Sequence, residues 1–213
     1  MLLTACSTKE EGSPPDSGAP SASAAATDAG AGAGMPAGLS GYTDAGAAPT
    51  DAKYTPSGGG WEVTTGPAHI VYSANDTASG AYTVSTTIDQ LENPAHPEAF
   101  GLFIGGTNLG QSDQRYTYMV VRGTGEALVN VMEGRTPRRI MEWTANPAVP
   151  KADGAGKASY RLAIAVGKDS VRFMVNDKAV SAAPRSAVSA DGVAGLRVNH
   201  NLHVRVMPVT ITR

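Results

Sequence analysis

The chain has 213 residues, of which 41% are hydrophobic and 17% are charged, and its formal net charge is −2. A charge this close to neutral, without a clustered basic surface, argues against a nucleic-acid partner. No apolar stretch is long enough for a transmembrane helix.

Residues 3–7 read Leu-Thr-Ala-Cys-Ser and resemble the lipobox of bacterial lipoproteins, in which the cysteine is lipidated and becomes the new N-terminus. We therefore predict lipidation at Cys6 and treat residues 1–6 as the remnant of a lipoprotein signal. Cys6 is the only cysteine, which excludes an intrachain disulfide. Only two residues precede this motif, fewer than a signal peptide needs. The resemblance implies a location in the bacterial cell envelope, as an outer-membrane lipoprotein or a secreted protein, with membrane contact through the lipid anchor only.

The next segment is rich in Ala, Gly, Ser, Thr, Pro and Asp, and residues 7–60 contain no Val, Ile, Phe or Trp. Such a composition cannot bury enough apolar surface to offset the entropy of ordering the chain. We predict a disordered linker over residues 7–57 and one folded domain over residues 58–213, where aliphatic and aromatic residues arrive together.

Short strands are predicted in chain order at residues 61–64 and 69–72. Residues 82–89 then alternate, with Tyr82, Val84 and Ile88 on one parity and polar side chains on the other. A period of two is what a half-buried strand requires. Residues 100–105 are apolar on both parities, which predicts a central strand with both faces covered.

Further strands are predicted at five places, separated by Gly-, Asn- and Pro-bearing turns: residues 115–122, 127–132, 139–143, 160–166 and 171–175. The alternating stretch 191–206 contains the run Asn199-His200-Asn201, which we interpret as a turn between two strands, because an inward His200 would need a buried partner. A last strand is predicted at 209–211. No segment has a helical period with caps. The pattern therefore predicts an all-β sandwich or barrel.

Five of these segments come in an order that resembles the concanavalin A-like lectin and glucanase jelly-roll superfamily: 80–85, 96–106, 116–122, 171–176 and 192–197. Within it, residues 58–213 are most similar to laminin-G-like and 3-keto-disaccharide hydrolase-like bacterial domains. The resemblance implies a two-sheet antiparallel jelly-roll sandwich, preceded here by the disordered tether. Members include lectins, carbohydrate-binding modules and glucanases, so it implies glycan or another envelope partner as the ligand. Fold alone does not decide among these roles.

Glucanase catalysis in this superfamily would need a Glu-x-Asp-x-x-Glu strand, which places paired carboxylates on one face. Glu126, Glu133 and Glu142 are solitary, and no Gly-x-Ser-x-Gly nucleophile elbow is present. We therefore favour a non-catalytic, surface-tethered domain. A hydrolase of the 3-keto-disaccharide type with dispersed catalytic residues is the alternative, and a structural envelope protein without a ligand is the second alternative.

Carbohydrate binding needs an aromatic platform beside planar polar groups. The candidates on neighbouring predicted strands are Trp143, Tyr116, Tyr118, Arg122, Arg139 and Asn130. Tyr116 and Tyr118 also share the parity expected of a core face, so burial in the core is the competing interpretation.

The loop that follows residue 88 carries three acids, Asp89, Glu92 and Glu98. Carboxylate oxygens in a loop are ligands that calcium accepts at flexible geometry, so these residues form a candidate calcium site. Apart from it we expect no cofactor, because the four histidines are too scattered in sequence for a zinc signature.

Overall fold

A computed structural model describes residues 34–213 of the chain. The predicted lipidation site Cys6 and the first part of the predicted linker lie outside the described residues. The strands are β1 (Ser40–Thr43), β2 (Lys53–Ser57), β3 (Gly60–Thr64), β4 (His69–Tyr72), β5 (Thr77–Ala78), β6 (Tyr82–Gln90), β7 (Ala99–Thr107), β8 (Arg115–Arg122), β9 (Glu126–Glu133), β10 (Thr136–Ala145), β11 (Ala158–Val166), β12 (Ser170–Val175), β13 (Lys178–Pro184), β14 (Gly192–Val198), β15 (His203–Val206) and β16 (Thr210–Thr212). One 3-10 turn, Arg185–Ala187, lies between β13 and β14.

The strands form two antiparallel sheets that face each other, as the sequence predicts. Sheet A has the order β1-β4-β14-β7-β8-β9-β10, with β5 beside β14. Sheet B has the order β13-β12-β11-β6-β15-β3-β2, with β16 beside β6. No helix in residues 34–213 is long and apolar enough to cross a membrane.

The main core lies between the two sheets and is built from one parity of each strand. In β6, Tyr82, Val84 and Ile88 are buried, while the alternate residues are half-buried. The ring of Phe100 in sheet A meets the ring of Tyr160 in sheet B edge-on at 5.2 Å between centroids. Full burial of each such side chain stabilises the fold by about 1.5–3 kcal/mol.

A second apolar cluster covers the opposite side of sheet A. Along β8, Met119 and Val121 point into the main core, whereas Tyr116 and Tyr118 belong to this second cluster. Because side chains alternate along a strand, the second cluster faces away from sheet B. We call this side of sheet A the aromatic face; it carries Tyr42, Ile70, Tyr72, Phe103, Tyr116, Tyr118, Val120, Leu128, Met132 and Trp143.

The predicted boundary at residue 58 is wrong, because β1 and β2 fall inside the segment assigned to the linker. β2 pairs with β3 along its whole length. Its Tyr54 donates a hydrogen bond to Nε2 of His69 in the other sheet at 2.5 Å, while Nδ1 of His69 donates to the Pro67 carbonyl at 2.9 Å. Strand pairing and two aromatic side chains, Tyr42 and Tyr54, thus order a segment that has no Val, Ile, Phe or Trp.

The predicted break near residue 200 is confirmed. β14 ends at Val198 and β15 begins at His203, and Asn201 adopts a positive φ of 54°. Asparagine tolerates this left-handed conformation better than most residues. His200 projects outward and pairs with Glu98 at 2.7 Å.

Candidate functional site

The structure brings the six predicted carbohydrate-site residues together on three adjacent strands, β8, β9 and β10. Tyr118 lies directly opposite Asn130, and Asn130 lies directly opposite Arg139 in the next strand. Trp143 also contacts the cluster of the aromatic face. The uneven register of β9 and β10, with shifts on both sides of position 141, carries Trp143 to the end of the sheet near Arg122.

Asn130 is the most unusual of these residues. It is only 3% exposed, and its Nδ2 donates a hydrogen bond to the Tyr118 hydroxyl at 2.7 Å. Its Oδ1 is buried and has no hydrogen-bond partner. The Asn130 amide thus makes a single hydrogen bond through its side chain, and that bond uses Nδ2. A buried polar atom without a partner costs about 1–3 kcal/mol, so Oδ1 would gain from a hydrogen-bond donor supplied by a ligand.

Trp143 is held by a charged side chain from the neighbouring hairpin. The Arg122 guanidinium carbon lies 4.2 Å from the centre of the Trp143 ring. Arg122 is itself fixed by Glu126, with Nη2 to Oε2 at 2.7 Å, and the Thr124 hydroxyl donates to the same oxygen at 2.7 Å. The hydrogen bonds from Thr124 and Arg122 hold the pKa of Glu126 below its ordinary value. Trp143 remains half-buried and keeps part of its surface in solvent.

Arg139 is the exposed member of the group. It pairs with Glu142, whose side chain is largely in solvent. An exposed ion pair contributes little net stability, so Arg139 can leave Glu142 for another acceptor at small cost.

Tyr116 lies deeper and has a structural role. It is 1% exposed, and burial raises its pKa to about 12. Its hydroxyl accepts a hydrogen bond from Arg197 at 3.1 Å. The Arg197 guanidinium also lies over the Tyr118 ring at 4.7 Å. Tyr116 therefore packs beneath the surface, and Tyr118 links this buried layer to Asn130.

Arg197 and Asp44 are not among the residues that the sequence predicts. Arg197 Nη1 and Nη2 contact the two carboxylate oxygens of Asp44, each at 2.8 Å. Burial lowers the pKa of Arg197, but its bonds to Asp44 outweigh this and raise it overall. The polar parity of Arg197 in its strand is a weak signal for an outward position. Nothing local marks Asp44, which sits in the segment assigned to the linker.

The three residues of the candidate calcium site do not form a common group. Asp89 pairs with Arg205 at 2.7 Å, and Glu98 pairs with His200. Glu92 lies 3.4 Å from His203. Each carboxylate faces a basic side chain instead of the other two, and residues 34–213 contain no group of three His, Cys, Asp or Glu residues suited to a metal ion.

Comparison with solved structures shows the fold. The chain is similar to the carbohydrate-binding module CBM66 from Bacillus subtilis, with a TM-score of 0.60 and 15% identity over 83% of this chain and 96% of that one. It is also similar to a Bacillus subtilis protein of unknown function with a galectin-like fold, with a TM-score of 0.56 and 10% identity over 81% and 88% of the two chains. No protein-family model and no curated protein matches the sequence. The likeness shows a two-sheet antiparallel β-sandwich fold.

Proposed function

We propose that this protein binds carbohydrate on the part of the aromatic face formed by β8, β9 and β10. Trp143 supplies the platform, Asn130 and Tyr118 supply hydrogen bonds, and Arg139 covers the outer side. The observation that carries the proposal is the buried, unpaired Oδ1 of Asn130 next to a tyrosine hydroxyl.

The chemistry of this group matches a sugar. A pyranose ring has an apolar face of C–H groups and a rim of hydroxyls that both donate and accept. The exposed surface of Trp143 is suited to the apolar face. The unpaired amide oxygen of Asn130 accepts from a hydroxyl, and the Tyr118 hydroxyl, which accepts from Asn130, keeps its own hydrogen for a ligand.

Arg139 lies directly across from Asn130 in the register, and we propose that movement of its side chain opens the way to the buried amide. Because the Arg139–Glu142 pair is exposed, displacing it costs little. A guanidinium that moves aside also offers donors to ligand hydroxyls. The similar fold of a carbohydrate-binding module is consistent with this role and adds weight to the choice of ligand class.

A glycan array probed with the full chain tests the proposal, followed by titration of the best polysaccharide. We expect Trp143→Ala and Asn130→Ala each to weaken binding at least about tenfold, which corresponds to about 1.4 kcal/mol. Arg161→Ala is the control, because Arg161 lies on sheet B. Failure to bind any polysaccharide would favour a structural role, and binding that survives both substitutions would place the site elsewhere.

We further propose that the domain is tethered to the bacterial cell envelope through lipid on Cys6. The support is the lipobox-like sequence at residues 3–7 and the low-complexity segment that follows it. Radiolabelled palmitate should enter the chain when it is expressed behind an intact signal sequence, and Cys6→Ser should abolish the labelling. Absence of label from the unmodified chain would remove the tether from the proposal.

A further inference from the structure

A pocket of about 230 Å³ lies at one edge of the sandwich, between the two sheets. We call it the edge pocket. Its lining includes Leu39, Trp61, Val71, Leu196, Val209 and Asp76. Trp61 belongs to β3 of sheet B, and Val71 and Leu196 belong to β4 and β14 of sheet A. The edge pocket shares none of the side chains proposed above for carbohydrate binding.

The walls of the edge pocket are mainly apolar. Val71 and Leu196 are buried members of the main core, and Leu39, Trp61 and Val209 pack against that core while keeping some surface exposed. A tryptophan ring is the strongest aromatic partner for a cation. The volume is on the order of that of seven water molecules, which suits a ligand of several non-hydrogen atoms.

Asp76 is the one charged group in this lining. Its backbone is fixed, because its N–H donates to the Ser73 carbonyl at 3.0 Å and its carbonyl accepts from Ala194 at 2.7 Å. Its half-buried carboxylate forms no ion pair with any basic side chain of residues 34–213. Burial raises the pKa of Asp76, and no neighbouring charge opposes the shift. The carboxylate is thus partly removed from water and has no positively charged partner in the described part of the chain.

These features select one chemical class of ligand. A neutral apolar molecule would bury the carboxylate further without a partner, which is unfavourable. A bare calcium ion needs six to eight oxygen ligands, and the lining contains a single carboxylate. An organic cation that carries alkyl groups can pair with the carboxylate and also pack against the apolar walls. We propose that the edge pocket binds a small alkylammonium cation, with its positive centre beside Asp76 and its alkyl groups against Trp61, Leu39 and Val209.

Choline chloride, titrated into the full chain at constant ionic strength, tests this proposal. The chain has two tryptophans, so Trp143→Phe leaves Trp61 as the only indole reporter. We expect a saturable change in Trp61 fluorescence. The neutral isostere 3,3-dimethyl-1-butanol has the same shape without the charge, and we expect it to bind at least about tenfold more weakly than choline.

Substitution of the carboxylate completes the test. Asp76→Asn, made in the same background, should weaken choline binding at least about tenfold and leave the isostere unaffected, whereas Asp169→Asn removes an exposed acid elsewhere and should change neither. Equal binding of choline and its isostere, an unchanged affinity in Asp76→Asn, or no saturation would overturn the proposal. The isostere comparison needs no change at Asp76, so it holds even if that variant folds poorly. Whether the chain binds a glycan on the array does not affect the outcome of the choline titration.

Discussion

Arg197 and Asp44 join the aromatic face to a segment of the chain more than 150 residues away, through two hydrogen bonds of 2.8 Å between guanidinium and carboxylate. Arg197 is 7% exposed at its side chain, whereas Asp44 is 48% exposed. A cation this deeply buried needs a hydrogen-bonded partner. The pair therefore links the turn after β1 to Arg197, which in turn contacts Tyr116 and Tyr118 in the buried layer of the face.

Asp44→Asn should lower the free energy of unfolding by about 2–3 kcal/mol. Removing one partner of a buried ion pair costs about 3–5 kcal/mol when both partners are buried. We expect a smaller loss of stability for Asp44→Asn, because Asp44 keeps about half of its side-chain surface in solvent. Urea unfolding followed by circular dichroism measures the difference.

Glu142→Gln is the matched control, because it breaks an ion pair of the same type whose members are both exposed. We expect it to change the free energy of unfolding by no more than about 0.5 kcal/mol. Equal effects of the two substitutions would contradict the structural role assigned to Arg197.

Gly101→Ala should destabilise the fold by about 3 kcal/mol or more. Gly101 lies in β7, and a Cβ at this position would come within 1.9 Å of the Met119 carbonyl oxygen in β8. The obstacle is backbone, so the two strands must separate, which is more costly than moving a side chain. Gly154→Ala is the control, because a Cβ there meets nothing within 4 Å. Thermal unfolding of both variants tests the prediction, and similar melting temperatures would count against it.

The fold was predictable wherever the chain alternates regularly. The parity of Tyr82, Val84 and Ile88 in β6 fixes which face is buried, and the Asn-rich turn at 199–201 marks the end of β14. β1 and β2 were not predictable from composition, because β1 is ordered by pairing with β4, and β2 by its hairpin with β3 and by the contact of Tyr54 with His69 in the other sheet. Local composition contains no record of such partners.

The residue types of the candidate site could be predicted from the sequence, but which of these residues are buried could not. Residue types and strand proximity select Trp143 and Asn130, and parity places Tyr116 and Tyr118 on one face. Because β8 is buried on both sides, alternation along the strand does not show which of its two faces packs against the other sheet. The grouping of Asp89, Glu92 and Glu98 failed because Asp89 belongs to β6 instead of the loop, and because spacing along the chain does not determine which basic side chain faces each carboxylate.

His203 should stabilise the fold at low pH and lose this effect as the pH rises. A hydrogen bond to Glu62 at 2.6 Å raises the pKa of His203 above its ordinary value. A group whose pKa is higher in the folded state contributes fully below the unfolded pKa of about 6.5 and ceases to contribute above the folded one. The free-energy difference between the unmodified chain and His203→Gln should therefore be larger at pH 5.5 than at pH 9.

The comparison must be made as a difference between variants, because His69 acts in the opposite direction. Burial lowers the pKa of His69, so its contribution is present above about pH 6.5 and is lost as the pH falls. At each pH, the free energy of unfolding of His203→Gln is subtracted from that of the unmodified chain. The contribution of His69 is the same in both and cancels, since the two histidines lie in different sheets. A difference that grows from pH 5.5 to pH 9 would contradict the assignment.

Replacing the Asn130–Tyr118 pair by Leu and Phe should separate stability from binding. The two side chains share one hydrogen bond, and Asn130 leaves one polar atom unpaired. Replacing both members of a buried hydrogen bond by apolar groups of similar shape is close to neutral, and here it also removes an unsatisfied oxygen. We expect the double variant Asn130→Leu/Tyr118→Phe to match the unmodified chain within about 1 kcal/mol or exceed it in urea unfolding. Its affinity for the polysaccharide identified on the array should nevertheless fall at least about tenfold. A double variant that loses stability and keeps its affinity would show that the pair serves the fold and not the ligand.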